Sequence, residues 1–452
     1  MFGIGWYALL PVARSRTIVA ATGRDRTMVP DNSYLPLRRV AAVGVGNALA
    51  FYDFLTFSFF AIQIGHSFFP SSTTKHGLLF TLATFGVGFL ARPLGGIFIG
   101  RYGDRAGRKP AMLVSFSLMG AGIVGLALTP SYASIGIAAP LLLVAFRLIQ
   151  GFALGGEVGP STAFLIEAAP PHRRGLYLSL QASTQYVAIL AAGLMGFVLA
   201  RWLSPAALDA WGWRAAFLAG AAIVPFGVAM RAALPDTLPA PEMAVEGAAP
   251  RLSVGLVVIS LLMLGAGTIG TYSLNYMAVY AQDSLKMPAS LAFGSTIVSG
   301  LVGVLATLGA GVVCDRAGRK TVLLTAVVLQ ILLVLPAFIL MNLTRSAAVM
   351  YVAVAVLCTV QNFTDVPGLL LITESLPKGV RSGSLSIIYA TAIAVFGGST
   401  QFVVKALLDA TGDALAPAWY MTGALVVGFG AMVAIRDTSP ARGVRRGLAV
   451  AA

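Results

Sequence analysis

Apolar residues in this chain come in long unbroken runs. Stretches of about 20 apolar residues recur, each long enough to cross a hydrocarbon core. Twelve spans are predicted, over residues 40–64, 76–100, 110–130, 137–167, 175–201, 213–234, 253–281, 289–313, 321–341, 347–373, 382–408 and 415–435. The stretch Pro235-Asp-Thr-Leu-Pro-Ala-Pro241 through Pro250, with Glu242 and Glu246, is a polar, Pro-rich linker that divides them six and six. The fold class is an all-α integral membrane protein, with twelve transmembrane helices in two pseudo-symmetric six-helix bundles. Parallel repeats of this kind hold their sites between the halves, near the midplane. The expected units are an N-terminal cytoplasmic extension over 1–36, bundles over 37–234 and 253–436, a cytoplasmic linker over 235–252 and a cytoplasmic tail over 437–452. Met28 is an alternative start within the extension.

Two strings recur in the same order, so one unit has been built twice. Gly100-Arg-Tyr-Gly-Asp-Arg-Ala-Gly-Arg-Lys109 returns as Gly311-Val-Val-Cys-Asp-Arg-Ala-Gly-Arg-Lys320. Glu167-x-x-Pro170-x-x-x-Arg174 returns as Glu374-x-x-Pro377-x-x-x-Arg381. Few polar residues join the apolar runs on either side of the first string, so those runs must be antiparallel neighbours, with Gly100 and Gly107 permitting a tight turn. Glu167 is expected to reach Arg105 or Arg108, and Arg174 to reach Asp104. The second half repeats this with Glu374, Arg381, Asp315, Arg316 and Arg319. Such a cluster would latch the halves together on the cytoplasmic side in one state; the alternative is a set of separate surface ion pairs.

Composition changes the picture only by exclusion. Only 11% of the 452 residues are charged and 58% are hydrophobic. The net charge of +14 does not point to nucleic acid, because most cations sit in short connections and read as topology signals. Their distribution, closed by Arg436, Arg442, Arg445 and Arg446, predicts a multi-pass membrane protein with both termini cytoplasmic. Cys314 and Cys358 imply no disulfide framework, and His66, His76 and His172 have no metal spacing. With no Walker loop either, an ATP-driven pump or an intramembrane enzyme is disfavoured, and no metal or cofactor is expected.

The loop Gly-x-x-x-Asp-Arg-x-Gly-Arg-Lys, found twice between hydrophobic segments, resembles the signature of the major facilitator superfamily. Gly46-Asn47-Ala48-Leu49-Ala50-Phe51-Tyr52-Asp53-Phe54, Arg92-Pro93-Leu94-Gly95-Gly96 and Arg147-x-x-Gln150-Gly151 through Gly156-Glu157 are similar to the metabolite:proton symporter branch. Ala390 through Gly398 and Pro417-x-Trp419-Tyr420 resemble its citrate and tricarballylate members. The chain departs from that branch at Ala50, where a Glu is usual, and at Gln401. The resemblance implies secondary active uptake of a small organic acid by proton symport, with protons as coupling ion and a monomer sufficient. A proton-coupled exporter, or a transporter-like sensor that binds without net flux, remain the alternatives.

Ionisable groups inside the spans cost about 2.5–3.5 kcal/mol each at a helix centre, which makes them functional candidates. Asp53, Arg147, Glu157 and Asp365 are the candidates for proton coupling. Asp53 would face Arg147 across the first and fourth spans, and its protonation would free Arg147 for a substrate carboxylate; a fixed neutralising pair is the alternative. Arg147 is the first choice for the substrate anion and Arg92 the second. Asn47, Tyr52, Gln150, Gln181, Gln185, Tyr272, Asn275, Tyr276 and Gln361 complete the expected substrate contacts. For each of these singly, an interhelical hydrogen bond is at least as strong a reading.

Overall fold

A computed structural model of the chain describes residues 48, 51–70, 76–106, 108–155, 162, 166, 169–222, 252–377 and 380–439. Helix α1 covers 51–59 and continues after a turn as α2, Ala61–Phe68. There follow α3 (Gly77–Leu90), α4 (Arg92–Ala106), α5 (Arg108–Leu128), α6 (Ala138–Ala153), α7 (Arg174–Trp202) and α8 (Trp213–Ala221). The second half contains α9 (Val254–Asn275), α10 (Met277–Asp283), α11 (Ala289–Ala317), α12 (Arg319–Thr344), α13 (Ala347–Ser375), α14 (Arg381–Ala392), α15 (Gly398–Thr411) and α16 (Ala416–Ala434). Among the described residues, eight helical stretches are long and apolar enough to cross a membrane, Gly77–Ile99 and Gly383–Thr411 each counted as one, with two shorter apolar ones besides.

Besides the first predicted span, which turns at Phe60, the second, seventh and eleventh are interrupted. Pro93 has no amide to give and its ring excludes the carbonyl four residues back, so the second span breaks at Ala91 into α3 and α4. The seventh breaks at Tyr276. The eleventh contains a π-helical turn, Ile393–Gly397, between α14 and α15. Such turns are frequent where a helix must re-aim side chains at a site.

The repeated loop is shorter than its sequence suggests. Gly100 lies inside α4, and the residues after it stay helical to Ala106, Gly103 included. In the second copy a single residue, Gly318 at φ +96°, turns the chain between α11 and α12. Only glycine takes that backbone conformation without strain.

Close backbone approaches set the helix pairs. A Cβ on Gly151 of α6 would fall 1.7 Å from the Gly88 carbonyl oxygen of α3. A Cβ on Gly86 of α3 would fall 2.3 Å from the Gly398 carbonyl oxygen at the start of α15, which joins the first bundle to the second. Helices α7 and α11 form the other long seam between the bundles, with Tyr186 of α7 packed against Gly303 of α11. Small residues at such crossings permit the van der Waals contact that holds helices together in lipid.

Candidate functional site

A cavity of about 150 Å³ lies between the bundles. Its wall includes Phe51 and Leu55 of α1, Arg92 of α4, Gln185 and Tyr186 of α7, and Thr268, Thr271, Tyr272 and Asn275 of α9. From the far side come Asn362 and Asp365 of α13, Tyr389 of α14 and Ile393 of the π-helical turn. Arg92 and Asp365 are the charged residues on this wall among those described. Of the expected substrate contacts, Arg92, Gln185, Tyr272 and Asn275 therefore meet here.

The two arginines share an aromatic ring. The Arg92 guanidinium carbon lies 4.6 Å from the Phe54 centroid and 4.4 Å from that of Phe89. Arg147 lies 4.9 Å from the Phe54 centroid, 4.4 Å from Phe57 and 5.5 Å from Phe85. Away from water such contacts are worth about 2 kcal/mol or more, and they help hold a cation inside the bundle. Arg147 is fully buried. It donates to Gln150 Oε1 at 2.9 Å and to the Phe85 carbonyl at 3.5 Å. It is absent from the cavity wall, so the wall cation is Arg92 and not the first choice from sequence. The reason is rotational: the helix face bearing Arg147 turns toward α1 and α3.

Asp53 is buried, and neither carboxylate oxygen has a hydrogen-bond partner among the described residues. Asp53 and Arg147 lie within each other's electrostatic reach, yet no ion pair joins them. The closed pair expected from sequence is thus an open one.

Asp365 is held differently. Thr271 Oγ1 donates to one oxygen at 2.8 Å and Gln361 Nε2 to the other at 2.9 Å. Gln361 also donates to the Gly267 carbonyl at 3.1 Å and accepts from Gln330. Its amide is spent within the helix packing, so Gln361 is not on the cavity wall.

Four further expected contacts point elsewhere. The Tyr52 hydroxyl donates to the Ala216 carbonyl at 3.2 Å and ties α1 to α8. Gln150 serves Arg147. Gln181 accepts from Thr162 at 3.3 Å. Tyr276 is fully buried at the break in the seventh span, off the cavity wall. Asn47, Glu157, Glu167 and the side chains of Asp104, Arg105 and Arg108 lie outside the described residues.

At the end of the bundle that holds the 311–320 turn, the charges pair across the halves. Glu374 Oε1 takes Arg174 Nη1 of the first half at 3.0 Å, and Glu374 Oε2 takes Arg319 Nε at 3.0 Å. Arg319 also donates to the Pro171 carbonyl at 3.0 Å. Asp315 does not await Arg381. It accepts the amides of Gly175 and Leu176, at 2.9 and 3.0 Å, and so caps the first turn of α7 from the opposite bundle. Arg381 donates to the Leu376 carbonyl and Arg316 is exposed. Thr438, beyond α16, adds a hydroxyl to Glu374 at 2.5 Å.

Sequence reasoning omitted Phe51, Leu55, Tyr186, Asn362 and Tyr389 from the site, although all five line the cavity. Asn362 and Tyr186 had a detectable signal, being polar groups on helices that already bore candidates. The apolar residues had none, since an aromatic in a membrane span is ordinarily lipid-facing or core.

Comparison with known proteins extends these findings. The family model described as Major Facilitator Superfamily matches residues 43–400. The chain is 33% identical over 426 residues to a citrate-proton symporter of Klebsiella pneumoniae, covering 93% of this chain and 96% of that one. It is 34% identical over 401 residues to the alpha-ketoglutarate permease of Escherichia coli (strain K12), covering 87% and 92%. Among solved structures, a D-xylose-proton symporter superposes with a TM-score of 0.72 at 18% identity, over 89% of this chain and 98% of that one.

Proposed function

Because the chain belongs to the Major Facilitator Superfamily, a family of multi-pass membrane transporters, we propose that it takes up a small organic acid together with protons. The substrate would be a carboxylate such as citrate, tricarballylate or a related metabolite. The observation that carries this reading is Arg92 on the wall of a cavity between the bundles. A carboxylate leaving water needs a cation, and a guanidinium offers it two donors in one plane. Tyr272, Asn275 and Gln185 supply uncharged polar contacts around it. The names of the relatives, a citrate-proton symporter and an alpha-ketoglutarate permease, support the same substrate class.

In this scheme Asp53 carries the proton and Arg147 senses it. With Asp53 charged, the two attract across the open gap; with Asp53 neutral, Arg147 is released toward α4 and raises the positive potential of the cavity. One event thereby makes the other more favourable, which is coupling. Alternating access follows if the Glu374 cluster and the Gly86–Gly398 contact close opposite ends of the cavity in turn. The protein sits in the bacterial inner membrane with both termini in the cytoplasm, and a monomer suffices.

Uptake by proteoliposomes under an imposed pH gradient, on a panel including citrate, tricarballylate and alpha-ketoglutarate, tests the proposal. Accumulation of one of them on an inward proton gradient is expected. Proton-driven extrusion would make the protein an exporter, and binding without flux would make it a sensor.

A further inference from the structure

The acid on the cavity wall has a counterpart problem that Asp53 does not have. Asp53 feels the positive charge of Arg147. Asp365 has no cation within ion-pair distance among the described residues; its two oxygens meet Thr271 and Gln361, which are uncharged. The ionisable groups that face it are Tyr186 of α7, Cys358 of α13 and Tyr389 of α14, each neutral while protonated, with Arg92 sharing the cavity wall. A carboxylate in that setting is stable only when something brings it a positive charge.

The surroundings are built to receive that carboxyl group. A Cβ on Gly267 would fall 2.6 Å from Asp365 Oδ1, and one on Gly270 would fall 2.1 Å from Gln361 Oε1. Both glycines of α9 therefore clear space for the acid and its amide. The Thr271 hydroxyl is the second device. A hydroxyl both donates and accepts, so the 2.8 Å contact survives whether Asp365 is charged and accepting or protonated and donating. The site can change charge without moving its neighbours.

We propose that Asp365 is a second proton-carrying residue of the transport cycle, separate from the Asp53–Arg147 couple. The step balances simply. A proton from the medium on the loading side bonds to one Asp365 oxygen as the cavity fills, and the same O–H bond breaks on the releasing side, returning the proton to water there. Neutral Asp365 lets an anion share the cavity with it; charged Asp365 repels that anion and favours its release. This inference rests on the carboxylate–proton reading above.

The test uses reconstituted full-length protein, with radiolabelled citrate and alpha-ketoglutarate as probes. The pH gradient at which net flux reverses, at a fixed substrate ratio, gives the number of protons moved per substrate. Asp365→Asn keeps a neutral hydrogen-bonding group in place, so exchange of labelled for unlabelled substrate should continue while one fewer proton moves per substrate. Asp365→Glu should restore the wild-type ratio. An unchanged ratio in Asp365→Asn overturns the proposal, since the group is then only a packing element. Loss of exchange in a folded Asp365→Asn variant overturns it too, since the charge is then a ligand for the substrate. If that variant does not fold, a hydrophobic carbodiimide, which reacts with protonated carboxyls, is applied to the wild type. Labelling of Asp365 that citrate or alpha-ketoglutarate alters supports the proposal, and its absence overturns it. Failure of the wild type to accumulate either probe removes the carboxylate reading itself, an outcome distinct from all of these.

Discussion

Asp53 and Arg147 lie within electrostatic reach of each other, deep in the first bundle, without forming an ion pair. A closed buried pair is hard to open, because parting it strands two charges. An open pair has less to break. Asp53→Asn is therefore expected to move one fewer proton per substrate and to accumulate less on a pH gradient, while exchange of labelled for unlabelled substrate persists. An unchanged ratio of protons to substrate would exclude Asp53 as a proton carrier.

The two arginines separate by the same measurement. Arg92→Lys keeps the charge on the cavity wall but loses the planar fork. A hydrogen bond to a charged group is worth about 1.5–3 kcal/mol, so substrate affinity should weaken roughly ten- to a hundred-fold. Arg147→Lys should change proton coupling more than affinity, because Arg147 is boxed by Phe54, Phe57 and Phe85 off the wall. Binding measured by scintillation proximity distinguishes them, and equal affinity in wild type and Arg92→Lys would remove Arg92 from the anion site.

Glu374 serves Arg174 and Arg319 at once, one from each bundle. Glu374→Gln leaves Arg319, 1% exposed, without its anion. Breaking a buried pair from one side costs about 3–5 kcal/mol. The closed state of this end should be depopulated, with faster labelling of a cysteine placed beside Arg174 and a lower melting temperature in detergent. Unaltered labelling would mean that the cluster is decoration.

Gly151→Ala places a carbon where the Gly88 carbonyl already stands. Overpacking of this kind costs about 1–3 kcal/mol, and more where backbone must move. Gly423→Ala is the control, since nothing lies within 4 Å of that position, and it should stabilise α16 by up to about 1 kcal/mol. Melting curves of the two purified variants should move in opposite directions.

The basic connections predict cytoplasmic termini. A phosphatase reporter fused after Arg446 should be inactive, and a reporter active there would reverse the orientation.

Much of the architecture was legible because lipid leaves a long apolar run few alternatives to a helix. The repeat of Asp-Arg-Ala-Gly-Arg-Lys showed that the chain is doubled. What could not be read is rotation. Tyr52, Gln361 and Tyr276 are polar residues in the right helices, yet their faces turn to Ala216, to Gly267 and into the core. Arg92 and Arg147 are equally prominent as letters, and only the helix crossings decide which of them meets the cavity. Asp315 taking the amides of α7 was equally hidden, because a backbone amide leaves no mark in a sequence.

The approach of Gly86 to Gly398 has a consequence for how such a protein can change over evolutionary time. That contact is main chain on main chain, so a side chain at Gly86 would drive into the Gly398 carbonyl and drift at that position is closed off. The Glu374 cluster is a matter of charge, and charges can be exchanged between partners or moved by a turn while the contact survives. New regulation or altered turnover would then be written at the ionic end of the molecule, while the glycine end is handed down unedited.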